Sequence, residues 1–181
     1  MLTASRLKKT NICEYLLYMW QVEDLIRAFK LDIDLIRQNI VDKYTYADPK
    51  EKKMTMEWYE SLVDMMRRED VVTSGHLQLN VNVLIDLEDV HQRLLRSGQF
   101  PEYNAKFFHI LPMIQQLRQK SEDGLSDLEL CFNFQYGILL LKLQQKEISE
   151  HTRATQIEIA KFIVLLAKKY HASVSGEIDL E

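Results

Sequence analysis

Glycine and proline, the residues that most readily let a chain turn, are scarce in this sequence. It contains 5 Gly and 3 Pro in 181 residues, whereas the two together average about 12% of a protein. With 46% hydrophobic and 28% charged residues, the composition is that of a folded globular protein. We therefore predict an all-α fold, a single-domain bundle of about six to seven helices over residues 1–172. An acidic C-terminal tail is expected over residues 173–181.

Helix-capping signals divide the chain into segments. Asp48 followed by Pro49 is typical of an N-cap with proline at the first helical position. Asp32 and Ser149 are further N-cap candidates. The predicted helices have these approximate limits: Thr10 or Asn11 to Phe29, Asp32 to Tyr44, Asp48 to Asp70, Leu77 to Arg96, Glu102 to Gln119, Asp127 to Lys146, and Ser149 to His171.

Three segments are ambiguous. Residues 77–83 alternate apolar and polar side chains as a strand does, but Leu87, Val90 and Leu94 continue at helical spacing, which favours a helix. Pro112 is expected to kink or split the fifth helix, because proline removes a backbone hydrogen bond. Residues 176–181 alternate apolar and acidic side chains, which predicts a frayed terminus or, alternatively, a linear docking motif.

The first and sixth predicted helices are apolar in nearly every direction. A surface helix has one apolar stripe, whereas a helix that is apolar on all sides is normally wrapped by other helices. We expect these two helices to form the centre, with Gly137 permitting close approach of a neighbouring helix. The alternative is that one of them completes its burial in a homodimer. Polar residues interrupt the two apolar surfaces at Glu14 and Gln21 on the first helix and at Asn133 and Gln135 on the sixth.

Charge and hydropathy restrict the partners and the location. A net charge of −4 disfavours nucleic acid, whose phosphates require clustered Lys and Arg. The basic start is followed by acidic residues that a secretory signal would not tolerate, and no apolar stretch approaches the roughly 20 residues of a membrane span. We therefore predict a cytoplasmic protein that does not bind membranes. Cys13 and Cys131, which lie in apolar runs, are expected to be reduced thiols.

Several polar residues fall on apolar helix faces. Glu14 and Gln21 are seven residues apart and share one line of the first helix. If buried, they need partners, because an unpaired buried carboxylate is costly. A hydrogen-bonded structural pair is favoured, and a polar ligand pocket is the alternative. Glu23 is expected to form an ordinary i to i+4 ion pair with Arg27, which Asp24 can share.

The fourth helix carries the best metal candidates by position, which are Asn80, Glu88 and His91. Glu88 and His91 have the Glu-x-x-His spacing with which one helix supplies ligands in di-iron bundles. A complete site needs a second such pair, and the histidines farther along the chain lack a Glu three residues earlier. We therefore expect neither a metal nor another cofactor. His76, at the start of this helix, is expected to be exposed.

A paired acidic motif is more specific. Glu57 and Glu60 are followed, after 25 intervening residues, by Asp86 and Asp89. This pattern resembles the motif with which all-helical nucleotide pyrophosphohydrolases hold Mg²⁺, although those enzymes normally carry Glu where Asp86 stands. Several carboxylate oxygens converging on one point would suit Mg²⁺. All four residues lie away from the apolar stripes of their helices, so a solvated charged face is favoured.

Several segments together resemble a family of small bacterial proteins that is described only as a domain of unknown function. The distinctive parts are Tyr-Met-Trp-Gln at residues 18–21 and Gly-His-Leu-Gln at residues 75–78. The resemblance also includes NICEYLLYMWQVEDLIRA at 11–28, EWYESLVDMMRRE at 57–69, SGHLQLNVNVLIDLEDVHQRLL at 74–95, residues 131–144 and the terminal GEIDLE. It implies a bacterial, helical, stand-alone protein and assigns no catalytic or binding residues.

The missing chemistry and the surplus of apolar helix surface favour one class of function. We predict a non-enzymatic helical protein that acts by protein–protein interaction or self-association. The alternative is a helical protein that binds a small molecule through its interior polar residues, or a Mg²⁺-dependent enzyme like the nucleotide pyrophosphohydrolases.

Overall fold

The computed structural model describes residues 2–180 and is all-helical, as predicted. Within these residues there are eight α-helices and one short 3-10 helix, Val41–Lys43, and there is no strand. The α-helices are α1 (Leu2–Thr10), α2 (Ile12–Ala28), α3 (Ile33–Asn39), α4 (Pro49–Arg68), α5 (Gln78–Ser97), α6 (Pro101–Arg118), α7 (Asp127–Leu143) and α8 (Glu150–Val174).

The predicted N-caps determine where several of these helices begin. The Asp32 side chain accepts hydrogen bonds from two backbone N–H groups of α3, and Asp48 accepts one from Glu51 in α4. Ser149 caps α8 by accepting from the backbone N–H of Thr152. Ser126 begins α7 with a capping box, in which its side chain and that of Glu129 satisfy each other's backbone N–H groups. The caps at Asp32, Asp48 and Ser149 were predicted from the sequence, because these contacts are local.

The ambiguous segments have definite conformations. Residues 78–83 are helical, because Leu77, Asn80, Val83 and Leu87 are buried at helical spacing. α6 continues through Pro112 and is not split. The second predicted helix ends at Asn39 and is followed by the 3-10 helix. α1 was not predicted, because its polar sequence gives no clear hydrophobic periodicity.

The described chain divides into two compact units. The first unit contains α1 and residues Glu14–Val83, which include most of α2 and all of α3 and α4. The second contains Asn11–Cys13 and the chain from Leu84 onward. The single domain over residues 1–172 remains a prediction. The fully buried side chains include Leu16, Met19, Ile26, Ile36, Leu62 and Met66 in the first unit, and Leu87, Tyr103, Phe132 and Phe162 in the second.

α2 and α7 both contribute to the core, but each also has a solvent-facing line. On α2, Glu14 and Leu25 are exposed and Gln21 is half-buried. Glu14 is therefore not the interior group that was predicted, because the line of α2 that carries it is left uncovered. α7 is buried over its first two turns, whereas Leu143 near its end is 67% exposed.

The C-terminal tail is ordered as far as it is described. Leu180 is only 5% exposed, and its carbonyl accepts a hydrogen bond from Nε of Arg93 at 3.4 Å. The backbone N–H of Ile178 donates to the carbonyl of Ala172. The prediction of a frayed terminus is therefore corrected up to Leu180. Glu181 lies outside the described residues.

Candidate functional site

The polar centre of the first unit is Glu23, which the sequence placed in an ordinary ion pair. Its side chain is completely buried, at 0% exposure. Its carboxylate lies 2.6 Å from Nδ1 of His76 and accepts hydrogen bonds from the backbone N–H of Leu77 at 2.9 Å and from the Asn80 amide at 2.6 Å. Charge-assisted hydrogen bonds of this kind are what make a buried carboxylate tolerable.

The position of Glu23 follows from the start of α5. Leu77 immediately precedes α5, so its N–H is one of the groups that the helix itself does not satisfy. A carboxylate at this end of a helix is also stabilised by the helix dipole. Glu23 therefore acts as a tertiary cap, supplied by α2 across more than fifty residues of sequence.

Arg27 has a different role from the one predicted. It pairs with Asp24 at 2.9 Å and donates to the backbone carbonyls of Val71 and Gly75. These contacts hold the loop before α5 against α2. The pairing with Glu23 is therefore corrected, because the Glu23 side chain is buried, whereas the expected contact between Asp24 and Arg27 is present.

The two most distinctive segments of the sequence meet at this centre. The ring of Trp20 stacks on the ring of His76, with centroids 4.3 Å apart and planes inclined by 14°. His76 was expected to be exposed, but only 34% of its side chain is accessible. A carboxylate can only accept, so Nδ1 of His76 donates to Glu23. The contacts of His76 with Glu23 and Trp20 hold the loop before α5 against α2.

The sequence contained one signal that would have found Glu23. Leu16, Met19, Trp20 and Ile26 are all buried, and Glu23 lies three or four residues from the last three of them. It therefore occupies the middle of the buried stripe of α2. The predicted pair, Glu14 and Gln21, lies on another line of the helix.

The second unit contains a buried polar centre of another kind. His91 is 1% exposed, and its Nδ1 lies 2.6 Å from the hydroxyl of Tyr103. Its ring packs edge-on against Phe107 and Phe162. Burial lowers the pKa of His91 to about 4, so the imidazole is neutral at pH 7.

The predicted metal candidates are each engaged with other groups. Asn80 donates to Glu23, and His91 is paired with Tyr103. Glu88 accepts hydrogen bonds from the side chains of Gln92 and Ser126. Across the described residues there is no group of three or more His, Cys, Asp or Glu side chains that could hold a metal.

The four residues of the acidic motif, Glu57, Glu60, Asp86 and Asp89, are all exposed. Glu57 lies 3.7 Å from the ammonium of Lys53, and Asp89 lies 3.5 Å from Arg93. Such pairs are typical of a solvated helix face, and exposed ion pairs contribute little to stability. This arrangement is that of a solvated charged face, the alternative that the sequence favoured over a Mg²⁺ site.

The second half of α7 borders an apolar groove. The groove has a volume of about 570 Å³. Gly137 lies in its lining, and a Cβ on Gly137 would meet no other part of the described chain within 4 Å. No helix of the described residues thus makes the close approach that was predicted there. The apolar lining consists of Leu117, Leu130, Phe134, Ile138, Leu140 and Leu141, together with Gly137.

Comparison with known proteins gives one result. A family model, Domain of unknown function (DUF4924), matches residues 1–177. The chain belongs to this family. Membership of DUF4924 confirms the resemblance inferred from the sequence. The matched residues include both polar centres and the groove. Searches of curated proteins and of solved structures found no match. Within residues 2–180, no helix has the length and apolar character needed to cross a membrane.

Proposed function

We propose that this protein is a non-enzymatic interaction protein that self-associates through α7. The groove beside the second half of α7, with Gly137 open to solvent, carries the proposal. Exposed contiguous apolar surface on a folded protein commonly marks an interaction site. Leu143, near the end of α7, is a further apolar side chain that is 67% exposed.

The arrangement of side chains along α7 favours another helix as the occupant. Phe134, Gly137 and Leu141 are partly exposed and spaced by three and four residues, so they form one ridge of α7. Gly137 forms a gap in the middle of this ridge. Small residues let two helix backbones come close together, and neighbouring large side chains then pack on either side.

The charge of the groove favours a second copy of the chain. In a two-fold symmetric dimer, residues near the axis meet their own copies, so a charged groove would repel itself. Among the described residues that line this groove, Lys120 is the only charged one. Two antiparallel α7 helices that cross at Gly137 would place uncharged surface on uncharged surface.

The enzymatic alternative receives less support. All four residues of the acidic motif, Glu57, Glu60, Asp86 and Asp89, are exposed, and Glu57 and Asp89 form surface ion pairs. This is a poor arrangement for holding Mg²⁺. We also propose that the protein acts in the cytoplasm of a bacterium. Cys13 and Cys131 are both buried and form no disulfide, which suits a reducing compartment.

Sedimentation velocity across roughly 1 to 100 μM protein tests the self-association, because a dimer of micromolar affinity dissociates within this range. We expect the wild-type chain to dimerise and Leu141→Glu to remain monomeric, since the substitution puts like charges opposite each other. Ile85→Glu is the matched control, because Ile85 is 57% exposed on α5 and does not line the groove. A wild-type chain that stays monomeric throughout, or a dimer that Leu141→Glu leaves intact, contradicts the proposal.

A further inference from the structure

A second cavity, in the first unit, has an unusual lining. Four tyrosines surround it: Tyr18, Tyr44, Tyr46 and Tyr59. Its volume is about 200 Å³. The other lining residues are Thr3, Ile40, Thr45, Glu51 and Thr55. We refer to this space as the tyrosine cavity. No local sequence pattern predicts it, because its residues come from separate segments.

Several elements of the first unit build the tyrosine cavity. Glu51, Thr55 and Tyr59 are spaced by four residues, so they share one line of α4. Tyr18 comes from α2. The segment between the 3-10 helix and α4 supplies Tyr44, Thr45 and Tyr46. Thr55 and Tyr59 are buried, whereas Tyr44 is 67% exposed, so the cavity has a closed wall and an open rim.

Hydrogen bonding inside the tyrosine cavity is incomplete. The Tyr46 hydroxyl is buried beside the hydroxyl of Thr55. The Thr55 hydroxyl donates to the backbone carbonyl of Glu51 at 2.9 Å, so it can offer Tyr46 only an acceptor and leaves the Tyr46 oxygen without a protein donor. Glu51 itself accepts from the backbone N–H of Ala47 at 2.9 Å. A buried hydroxyl oxygen that lacks a protein donor normally bonds to water or to a ligand.

The electrostatics of the tyrosine cavity disfavour an anion. Among its described lining residues, Glu51 is the only one with a formal charge. The ammonium of Lys52 acts on Tyr46 but is paired with Asp42 at 2.7 Å. Burial, together with the other phenols nearby, raises the pKa of Tyr18, Tyr46 and Tyr59, so these side chains stay neutral. A negative ligand would lie beside the Glu51 carboxylate, whereas Lys52 does not line the cavity and is already paired with Asp42.

The same features attract a cation. A carboxylate supplies the charge, and tyrosines attract cations through their electron-rich rings and their hydroxyl oxygens. A metal ion is a poor fit, because the cavity offers a single carboxylate and hard cations require several oxygen ligands of that kind. Aromatic residues next to a carboxylate are instead the chemistry that recognises organic ammonium groups.

We propose that the tyrosine cavity binds a small organic ammonium ion, with Glu51 and the four tyrosines holding the cationic group and Tyr46 bonding to a polar substituent. An apolar cavity of about 150 Å³ accommodates benzene. The tyrosine cavity, at about 200 Å³, therefore suits a ligand slightly larger than benzene. None of its residues lies on α7, so this inference stands apart from the proposed self-association.

Calorimetric titration with choline tests the inference, since choline is a small quaternary ammonium with one hydroxyl. The comparison ligand is 3,3-dimethylbutan-1-ol, which has the same shape without the charge. We expect the neutral alcohol to bind about tenfold more weakly or not at all. Equal binding of both ligands would mean that shape alone is recognised. Equal binding, or no detectable binding of choline, overturns the proposal.

Two variants locate the binding. Glu51→Gln removes the charge but keeps an acceptor for Ala47, and Tyr44→Leu removes an exposed ring at the rim. Each should weaken choline binding about fivefold to tenfold. Glu60→Gln is the matched control, because it lies on α4, is exposed and does not line the cavity. Thermal unfolding confirms that each variant is folded. Choline binding that Glu51→Gln leaves unchanged also overturns the proposal.

Discussion

The two buried polar centres, Glu23 in the first unit and His91 in the second, meet the cost of burial in opposite ways. Glu23 is surrounded by hydrogen-bond partners from the start of α5, namely His76, Leu77 and Asn80. His91 has the Tyr103 hydroxyl as its hydrogen-bond partner and loses its charge because burial lowers its pKa. A buried ionisable group thus needs either donors that match its charge or a protonation state that carries none.

The largest expected effect is that of Glu23→Ala. The substitution leaves the Leu77 N–H and the Asn80 amide without their acceptor, so we expect the free energy of unfolding to fall by about 3 to 5 kcal/mol. Urea unfolding measures this change. Glu14→Ala on the same helix is the control and should cost less than about 0.5 kcal/mol, because Glu14 is exposed. Equal losses of stability for the two variants would contradict the role of Glu23 as a buried cap of α5.

The second prediction concerns pH and His91. The unfolded chain binds a proton at His91 below its ordinary pKa of 6.5, whereas the folded chain does so only near pH 4. Stability should therefore fall as the pH decreases from about 6.5 to 4, by about 3 kcal/mol in total. His171, whose pKa burial also lowers, contributes with the same sign.

Urea unfolding at a series of pH values measures this dependence in the wild-type chain and in His91→Gln. Glutamine keeps hydrogen-bonding capacity but does not titrate. We expect the slope between pH 6.5 and 4 to become distinctly shallower in the variant. An unchanged slope would show that His91 is not the group responsible.

The smallest effect is expected for Tyr103→Phe. This substitution keeps the aromatic packing against Phe162 and removes the hydroxyl that His91 contacts. The free energy of unfolding should fall by about 1 to 2 kcal/mol, the cost of one unsatisfied buried group. The loss should be well below that of Glu23→Ala, since a neutral imidazole needs its partner less than a carboxylate does. A loss as large as that of Glu23→Ala would contradict this ranking.

Much of the local structure was predictable. The N-caps at Asp32, Asp48 and Ser149, and the all-helical fold, follow from short-range signals that the sequence displays directly. α1 was missed, because a short polar helix lacks the periodicity that marks the others. The tail was expected to fray, since nothing in residues 176–181 indicates that Leu180 contacts the distant Arg93.

The candidate sites were less predictable. The helical wheel of α2 identified polar residues on an apolar helix but selected Glu14, which is exposed, and Gln21, which is half-buried. On α7 the wheel showed apolar side chains in every direction. It did not show that the groove around Gly137 would remain open. Which faces of a helix are covered depends on its neighbours, and these come from remote parts of the chain.

The sequence by itself determined that this protein is helical and where most of its helices begin, because capping and periodicity act over a few residues. Only the tertiary structure decided the environment of each polar side chain. Glu23 became a buried cap for α5, and four tyrosines came together around Glu51. The physical reason is that burial and hydrogen bonding at these places join residues separated by tens of positions, and no local pattern encodes such a meeting.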